Sequence, residues 1–305
     1  MIGIGEIIRI NRIELDITQE ELCDDICTPG NLSKIENGIQ VPTRATFNAL
    51  MERMGLSPEV YPSFLNNSDR EAYELKHDFN ELYAKEEFEE AESVLSKLEK
   101  MSNLENEYRK FASLSGTLLG QIKGTINDDE AVEAFEVSIK SFIKGFTSIK
   151  LDKIRRSLLT KTELNILNAY AIAKHGTGDT ETAIKVLYEC ITYIDSKVYY
   201  KEGIAIVYTK ILYNLSKFVG MKGDDEEAIR LCELGIRACR RYNRFTYLSV
   251  LLYNKGYGLM NLGRLTESHD CIRDSFYIQR ATGAPGSSTI AIITAFAIKH
   301  DIKLM

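Results

Sequence analysis

The chain has 305 residues, with 38 Lys/Arg against 44 Asp/Glu, a formal net charge of −6 and 44% hydrophobic residues, enough for a sizeable core in two domains or one long repeat array. No run approaches eighteen uncharged apolar residues and Met1 leads into Gly3-Ile4-Gly5-Glu6 rather than a basic and apolar leader, so a cytoplasmic protein with no membrane segment is expected. Six scattered cysteines form no C-x-x-C pair, four histidines do not cluster, and no nucleophile-base motif or phosphate-cradling glycine loop is present, which argues against a metal, a cofactor or an enzyme.

Only five prolines occur, four of them in the first 62 residues, so the remainder is predicted to be mostly helix and the fold all-α. Residues 4–15 (IGEIIRINRIEL) place Ile7, Ile8 and either Ile10 or Asn11 on successive turns of a first helix. Thr18 followed by Glu21 is a capping box, so a second helix starts at Gln19 and turns Leu22 and Ile26 inward. Thr28 caps a third, with Pro29 at its first position, Leu32 and Ile35 facing the core and Asn37-Gly38 at its end. Two short helices joined by a tight turn make a helix-turn-helix, which lays its second helix in a DNA major groove. Thr43 caps a fourth helix with Phe47, Leu50, Met51 and Met54 inside, and Ser57-Pro58 starts a fifth segment ending near Leu65.

The stretch TQEEL with SKIENG and the following Pro-Thr closely resembles the XRE-type DNA-binding domain of Cro and CI repressors, over residues 4 to about 65. The resemblance implies a five-helix domain, residues 1–65. It gives Gln19 the role of clamping a phosphate and bracing the recognition helix. It sets Thr28, Gly30, Asn31, Ser33 and Lys34 where base edges and backbone are contacted, and makes Arg44 a further phosphate contact. Arg9, Arg12 and Glu36 match ion-pair positions that tie the first helix to the recognition helix.

Residues 1–65 carry five Lys/Arg against ten Asp/Glu. Phosphate neutralisation supplies most non-specific affinity, so an acidic domain is expected to bind DNA weakly alone and to depend on pairing. Pro29-Gly30 also removes two side chains from the start of the recognition helix, leaving Asn31 for adenine and Lys34 for guanine or phosphate. The alternative is an XRE fold kept for protein contact.

From Asp69 to the end, residues 69–305, five segments repeat a helix, a polar turn and a second helix: YAKEEFEEAESVL, KGTINDDEAVEAF, HGTGDTETAIKVL, GMKGDDEEAIRLC and MNLGRLTESHDCI. Ala91, Ala131, Ala183, Ala228 and Ser268 align at separations of 40, 52, 45 and 40 residues, each followed four residues on by Leu95, Phe135, Leu187, Cys232 and Ile272. A small residue lets paired helices approach and the larger one packs between them. This register resembles the tetratricopeptide repeat, which implies a right-handed superhelix of about five helical hairpins. The segment TIAIITAFAI is apolar nearly all round and reads as a buried terminal cap or part of a dimer interface. Asn168, Asn214 and Asn254 recur 46 and 40 residues apart on first helices. An amide can donate and accept at once, so these three, with Tyr213, Lys217, Tyr253 and Tyr257 on or beside the same face, are candidates for holding an extended peptide in a concave groove. The alternative is that they only solvate the groove or bond neighbouring helices.

An XRE domain followed directly by loose tetratricopeptide-like repeats resembles the RRNPP family, the peptide-pheromone receptors of Gram-positive bacteria. That resemblance implies a cytoplasmic, homodimeric transcription factor that binds a short signalling peptide in the repeat groove and a palindromic double-stranded DNA operator. A repressor whose repeats bind another protein is the second possibility.

Overall fold

The computed structural model describes residues 4–56, 67–102, 104–196, 204–282 and 288–304. Among them are sixteen helices and no strand. They form two compact units, one of Met1–Thr182 with Thr192–Gly203 and one of Ala183–Ile191 with Ile204–Met305.

The first unit opens with α1 (Ile4–Glu14), α2 (Gln19–Cys23), α3 (Pro29–Glu36) and α4 (Arg44–Arg53). Thr18, Thr28 and Thr43 cap the last three, each accepting from a backbone N–H in the first turn, and Glu21 completes the box on Thr18. Their core is Ile8, Leu22, Leu32, Ile35, Phe47, Leu50, Met51 and Met54. Of the two choices on α1, Asn11 is the half-buried one, its Nδ2 donating to the Ile7 carbonyl, while Ile10 is exposed. α1 crosses α3 so closely that a Cβ on Gly5 would collide with the Ile35 carbonyl, which is why glycine stands there. The segment expected between Ser57 and Leu65 lies outside the described residues.

Hairpins follow: α5 (Asn67–Ala84) with α6 (Phe88–Glu99), α7 (Asn106–Lys123) with α8 (Asp128–Phe142), then the short α9 (Asp152–Arg156) and α10 (Lys161–Gly176), which leads into α11 (Thr180–Asp195). α9 and its flanking loops account for the long 52-residue separation in the repeat register. The second unit contains α12 (Ala205–Met221), α13 (Asp225–Tyr242), α14 (Leu248–Asn261), α15 (Leu265–Thr282) and α16 (Ser288–Lys299). Ala91, Ala131, Ala183, Ala228 and Ser268 are all buried, as are Leu95, Phe135, Leu187, Cys232 and Ile272, so the repeat register read from the sequence is the packing register. Each hairpin turn carries one left-handed residue, Gly124, Gly178, Gly223 or Gly263, with Glu86 taking that conformation in the first. α16 packs one face on α15 through Ile293, Phe296 and Ala297, while Ile292 and Ile298 on its other side are exposed. Among the described residues no helix is long and apolar enough to cross a membrane.

Inside the first unit the helix-turn-helix is fastened to the hairpins by polar groups. Lys110 on α7 meets Glu163 of α10 at 2.6 Å and Asp25 of the α2–α3 turn at 2.7 Å, and Arg53 of α4 reaches Glu163 at 3.3 Å. Glu105, just before α7, accepts from the hydroxyls of Thr43 and Thr46 at 2.7 and 2.9 Å. Glu52 accepts the backbone N–H of Lys161 at 2.8 Å.

Burial pushes the Glu52 carboxyl up to about 7, against the attraction of Lys161 and Lys76 and aided by Glu107. A folded state that holds a proton more tightly than the unfolded chain is most stable where both forms are protonated and loses that stability as pH rises through the folded pKa. Glu52→Gln, which mimics the protonated form and keeps an acceptor for Lys161, is therefore expected to gain on the wild type progressively between pH 5 and pH 8. Urea midpoints across that range check this; a pH-independent difference would contradict it.

Candidate nucleic-acid interface and ligand cavity

α3 presents a surface set by its short start. Thr28 Oγ1 accepts from Asn31 N at 3.2 Å, Thr28, Gly30 and Lys34 are exposed, and Asn31 and Ser33 are half-buried. Behind it, Glu36 is buried and collects three donors: Arg12 Nε at 2.6 Å, Arg12 Nη2 at 2.9 Å and Gln19 Nε2 at 2.7 Å. The hydrogen bond from Arg12 to Glu36 holds the guanidinium pKa above its ordinary value. α1, the start of α2 and the end of α3 are thus joined through one carboxylate. Gln19 spends one amide hydrogen on that brace, and Arg9, the other candidate partner, is exposed. Arg44, at the first position of α4, stacks its guanidinium 4.7 Å above the ring of Tyr73 on α5.

Thr28, Gly30, Asn31 and Lys34 line a cavity of about 660 Å³ whose far wall includes Leu104, Glu105 and Asn106. A carboxylate therefore already sits at the N-terminus of α4, where Thr43 and Thr46 hold it. Nothing in the sequence spacing announces that contact, because it joins residues about sixty positions apart.

In the second unit, α12, α14 and α16 enclose a cavity of about 550 Å³. Tyr213, Lys217, Tyr253, Asn254 and Tyr257 line it, together with Met221, Val250 and the α16 residues Thr289, Ile292 and Ile293. Asn254 Nδ2 donates to the Tyr213 carbonyl at 3.2 Å and to Ser216 Oγ at 3.0 Å. Both donor hydrogens are spent on α12, so towards a ligand Asn254 offers an acceptor, its Oδ1. Tyr213 stacks on Tyr247 at 6.1 Å, and Tyr253 and Tyr257 close on Phe296 at 5.5 and 5.6 Å. Burial raises the Tyr213 and Tyr253 hydroxyls above their ordinary values, so both remain neutral donors. The other two asparagines are placed differently. Asn214, 8% exposed, is buried in α12 and does not line this cavity, and Asn168, 3% exposed, is buried in α10 of the first unit.

The cysteines are buried or half-buried. Burial pushes the thiols of Cys27 and Cys232 up to about 12 and that of Cys239 to about 11, which leaves them poor nucleophiles. No group of His, Cys, Asp or Glu among the described residues is arranged to hold a metal ion.

A helix-turn-helix family model, HTH_3, matches residues 8–61. No curated protein sequence matches the chain significantly. Among solved structures, PlcR of Bacillus thuringiensis, in complex with the peptide PapR7 and DNA, superposes with a TM-score of 0.61 at 15% identity, covering 99% of each chain. The apo competence regulator ComR of Streptococcus vestibularis gives 0.55 at 12% identity, covering 98% of each. ComR of S. thermophilus, in complex with DNA and its signalling peptide ComS, gives 0.52 at 14% identity, covering 98% of this chain and 100% of that one. Over residues 8–61 the chain thus matches the helix-turn-helix family HTH_3, and over its length it has the fold shared by PlcR and ComR.

Proposed function

We propose that the chain is a peptide-responsive regulator that acts as a homodimer. α3 reads an operator through Asn31 and Lys34, with Gln19, Thr28, Gly30, Ser33 and Arg44 as backbone contacts. Two copies about 34 Å apart would match a palindromic site. A short signalling peptide occupies the cavity between α12, α14 and α16 and changes operator affinity.

The observation that carries this reading is the makeup of that cavity. Tyrosines and aliphatic side chains take apolar peptide side chains, Asn254 Oδ1 accepts a peptide N–H, and Lys217, which is exposed at the cavity, pairs with a carboxylate. Support also comes from solved structures of the same fold, described as complexes with the peptides PapR7 and ComS. Within the sequence-derived set the peptide-binding role falls to Asn254 rather than to Asn168 or Asn214, which are buried inside their helices.

Calorimetry tests the reading with synthetic peptides encoded by short open reading frames beside the gene. The expected result is saturable binding that weakens about tenfold in Asn254→Ala, the worth of one lost hydrogen bond to a desolvated group, and weakens further in Lys217→Ala. Equal binding by wild type and both variants would remove the peptide from this cavity. No peptide binding, with a folded protein captured instead, would favour the protein-partner alternative.

A further inference from the structure

The acidic balance of residues 1–65 leaves the helix-turn-helix short of the cations that give a DNA-binding surface most of its affinity. Those cations stand elsewhere in the same compact unit. Residues 140–156 contain Lys140, Lys144, Lys150, Lys153, Arg155 and Arg156 against a single acid, Asp152, a balance of +5.

This segment is also where the hairpin pattern is interrupted. After α8 the chain turns at Gly145, with φ +68°, and passes through α9 before α10 begins. Ile143, Phe146, Leu151, Ile154 and Leu159 are buried and anchor it, so its charged side chains are presented from a fixed loop. Lys144 and Arg156 have side chains 82% and 74% exposed, and Lys140, Lys150 and Arg155 are exposed as well.

Its position is what gives the charge a role. Lys144, Lys153 and Arg156 line one open cavity of about 810 Å³ with Thr28 and Pro29, the cap and first residue of α3. The Lys144 ammonium lies 3.3 Å from Asp24 in the α2–α3 turn. Glu20, Glu21, Asp24 and Asp25 border the same cavity, so docking the helix-turn-helix is the competing role for the cations. Only part of the charge is used that way. Lys153 Nζ donates to the Lys144 carbonyl at 2.8 Å and Arg156 pairs with Asp152 of its own helix at 3.1 Å. Of the five exposed cations only Lys144 engages that turn, and Lys140 pairs with Glu136 of its own helix at 3.4 Å, so docking the acidic turn does not account for the rest of the segment's charge.

We propose that the α8–α9 segment is a second DNA-contact surface, which binds backbone phosphates flanking the groove entered by α3. It rests on DNA binding by the helix-turn-helix and adds affinity without sequence preference.

Fluorescence anisotropy with the full-length protein and a mixed-sequence DNA duplex over a salt series tests this. The variant is Lys150→Gln/Arg155→Gln/Arg156→Gln, which leaves the Lys144–Asp24 contact in place. The charge-matched control is Lys222→Gln/Arg237→Gln/Lys299→Gln, and Lys34→Ala probes α3 itself. Loss of three phosphate contacts is expected to lower the slope of log affinity against log salt by roughly 2–3 and to weaken binding about tenfold or more at low salt, with the melting temperature unchanged and the control close to wild type. An unaltered slope, or an equal fall in the control, overturns the proposal. If Lys34→Ala weakens binding while the α8–α9 variant does not, α3 is retained as the DNA reader and only the second surface fails. If the wild type binds no duplex at all, both fail.

Discussion

Replacing Glu163 with alanine is expected to destabilise the protein by about 3–5 kcal/mol, the cost typical of removing one partner from a buried ion pair. Glu163 is fully buried at the third position of α10. Its Oε2 accepts from Thr160 N at 2.7 Å and closes the capping box, while its Oε1 receives Lys110 at 2.6 Å and Arg53 at 3.3 Å. Desolvation pulls the Lys110 pKa down, but Glu163, Glu107 and Asp25 together hold it above its ordinary value. With Glu163 gone, two buried cations remain, Lys110 beside Asp25 and Glu107, and Arg53 on the carbonyls of Leu22 and Asp24. Glu163→Gln keeps an acceptor for Thr160 and should fall between alanine and wild type. Exposed pairs such as Lys123 with Glu89 and Glu92 should matter little by comparison, because water and salt screen them. Urea denaturation of the three variants is the measurement, and a Glu163→Ala loss below about 1 kcal/mol would show that the cluster does not fasten the helix-turn-helix.

That cluster also marks how far the sequence could be read. Local signals were legible: the Thr18–Glu21 box, Thr28 before Pro29, and Thr43 each start a helix in the structure. So was the periodic placing of Ala91, Ala131, Ala183, Ala228 and Ser268, because a small residue is required wherever paired helices approach closely. Contacts between distant residues left no such trace. The pairing of Arg53 with Glu163 spans 110 positions, and each residue alone reads as ordinary helix surface. The same holds for Glu105 at the start of α4, and for α9, whose five residues are too few to show a period. The asparagines show a subtler failure. Their spacing followed the repeat, but periodicity reports only that three residues occupy similar places along their helices. Which atoms remain free for a ligand depends on the neighbouring helix, and on α14 it is Ser216 and the Tyr213 carbonyl of α12 that consume both donors of Asn254.

Phe135→Ala should be comparably severe, at about 3–5 kcal/mol for a large aromatic truncated in a packed core. Phe135 is 1% exposed on α8, which packs on α7 and α10. In the other repeats the same position holds Leu95, Leu187, Cys232 and Ile272, so the site is apolar throughout but takes its largest side chain here. The informative part of the result is where the destabilisation is felt. Phe135 lies outside the helix-turn-helix, yet α10 carries Glu163 and α7 carries Lys110, the two residues that hold Arg53 and Asp25. If these charged contacts join the helix-turn-helix and the hairpins into one cooperative unit, amide hydrogen exchange in α3 and α4 should accelerate together with that of α7, α8 and α10. Acceleration confined to α7, α8 and α10 would mean instead that the helix-turn-helix opens on its own, as a separate domain ending near residue 65. A coupled response would also give the repeats a physical means of reaching α3, because any change in the hairpin packing would be felt in the order of the recognition helix.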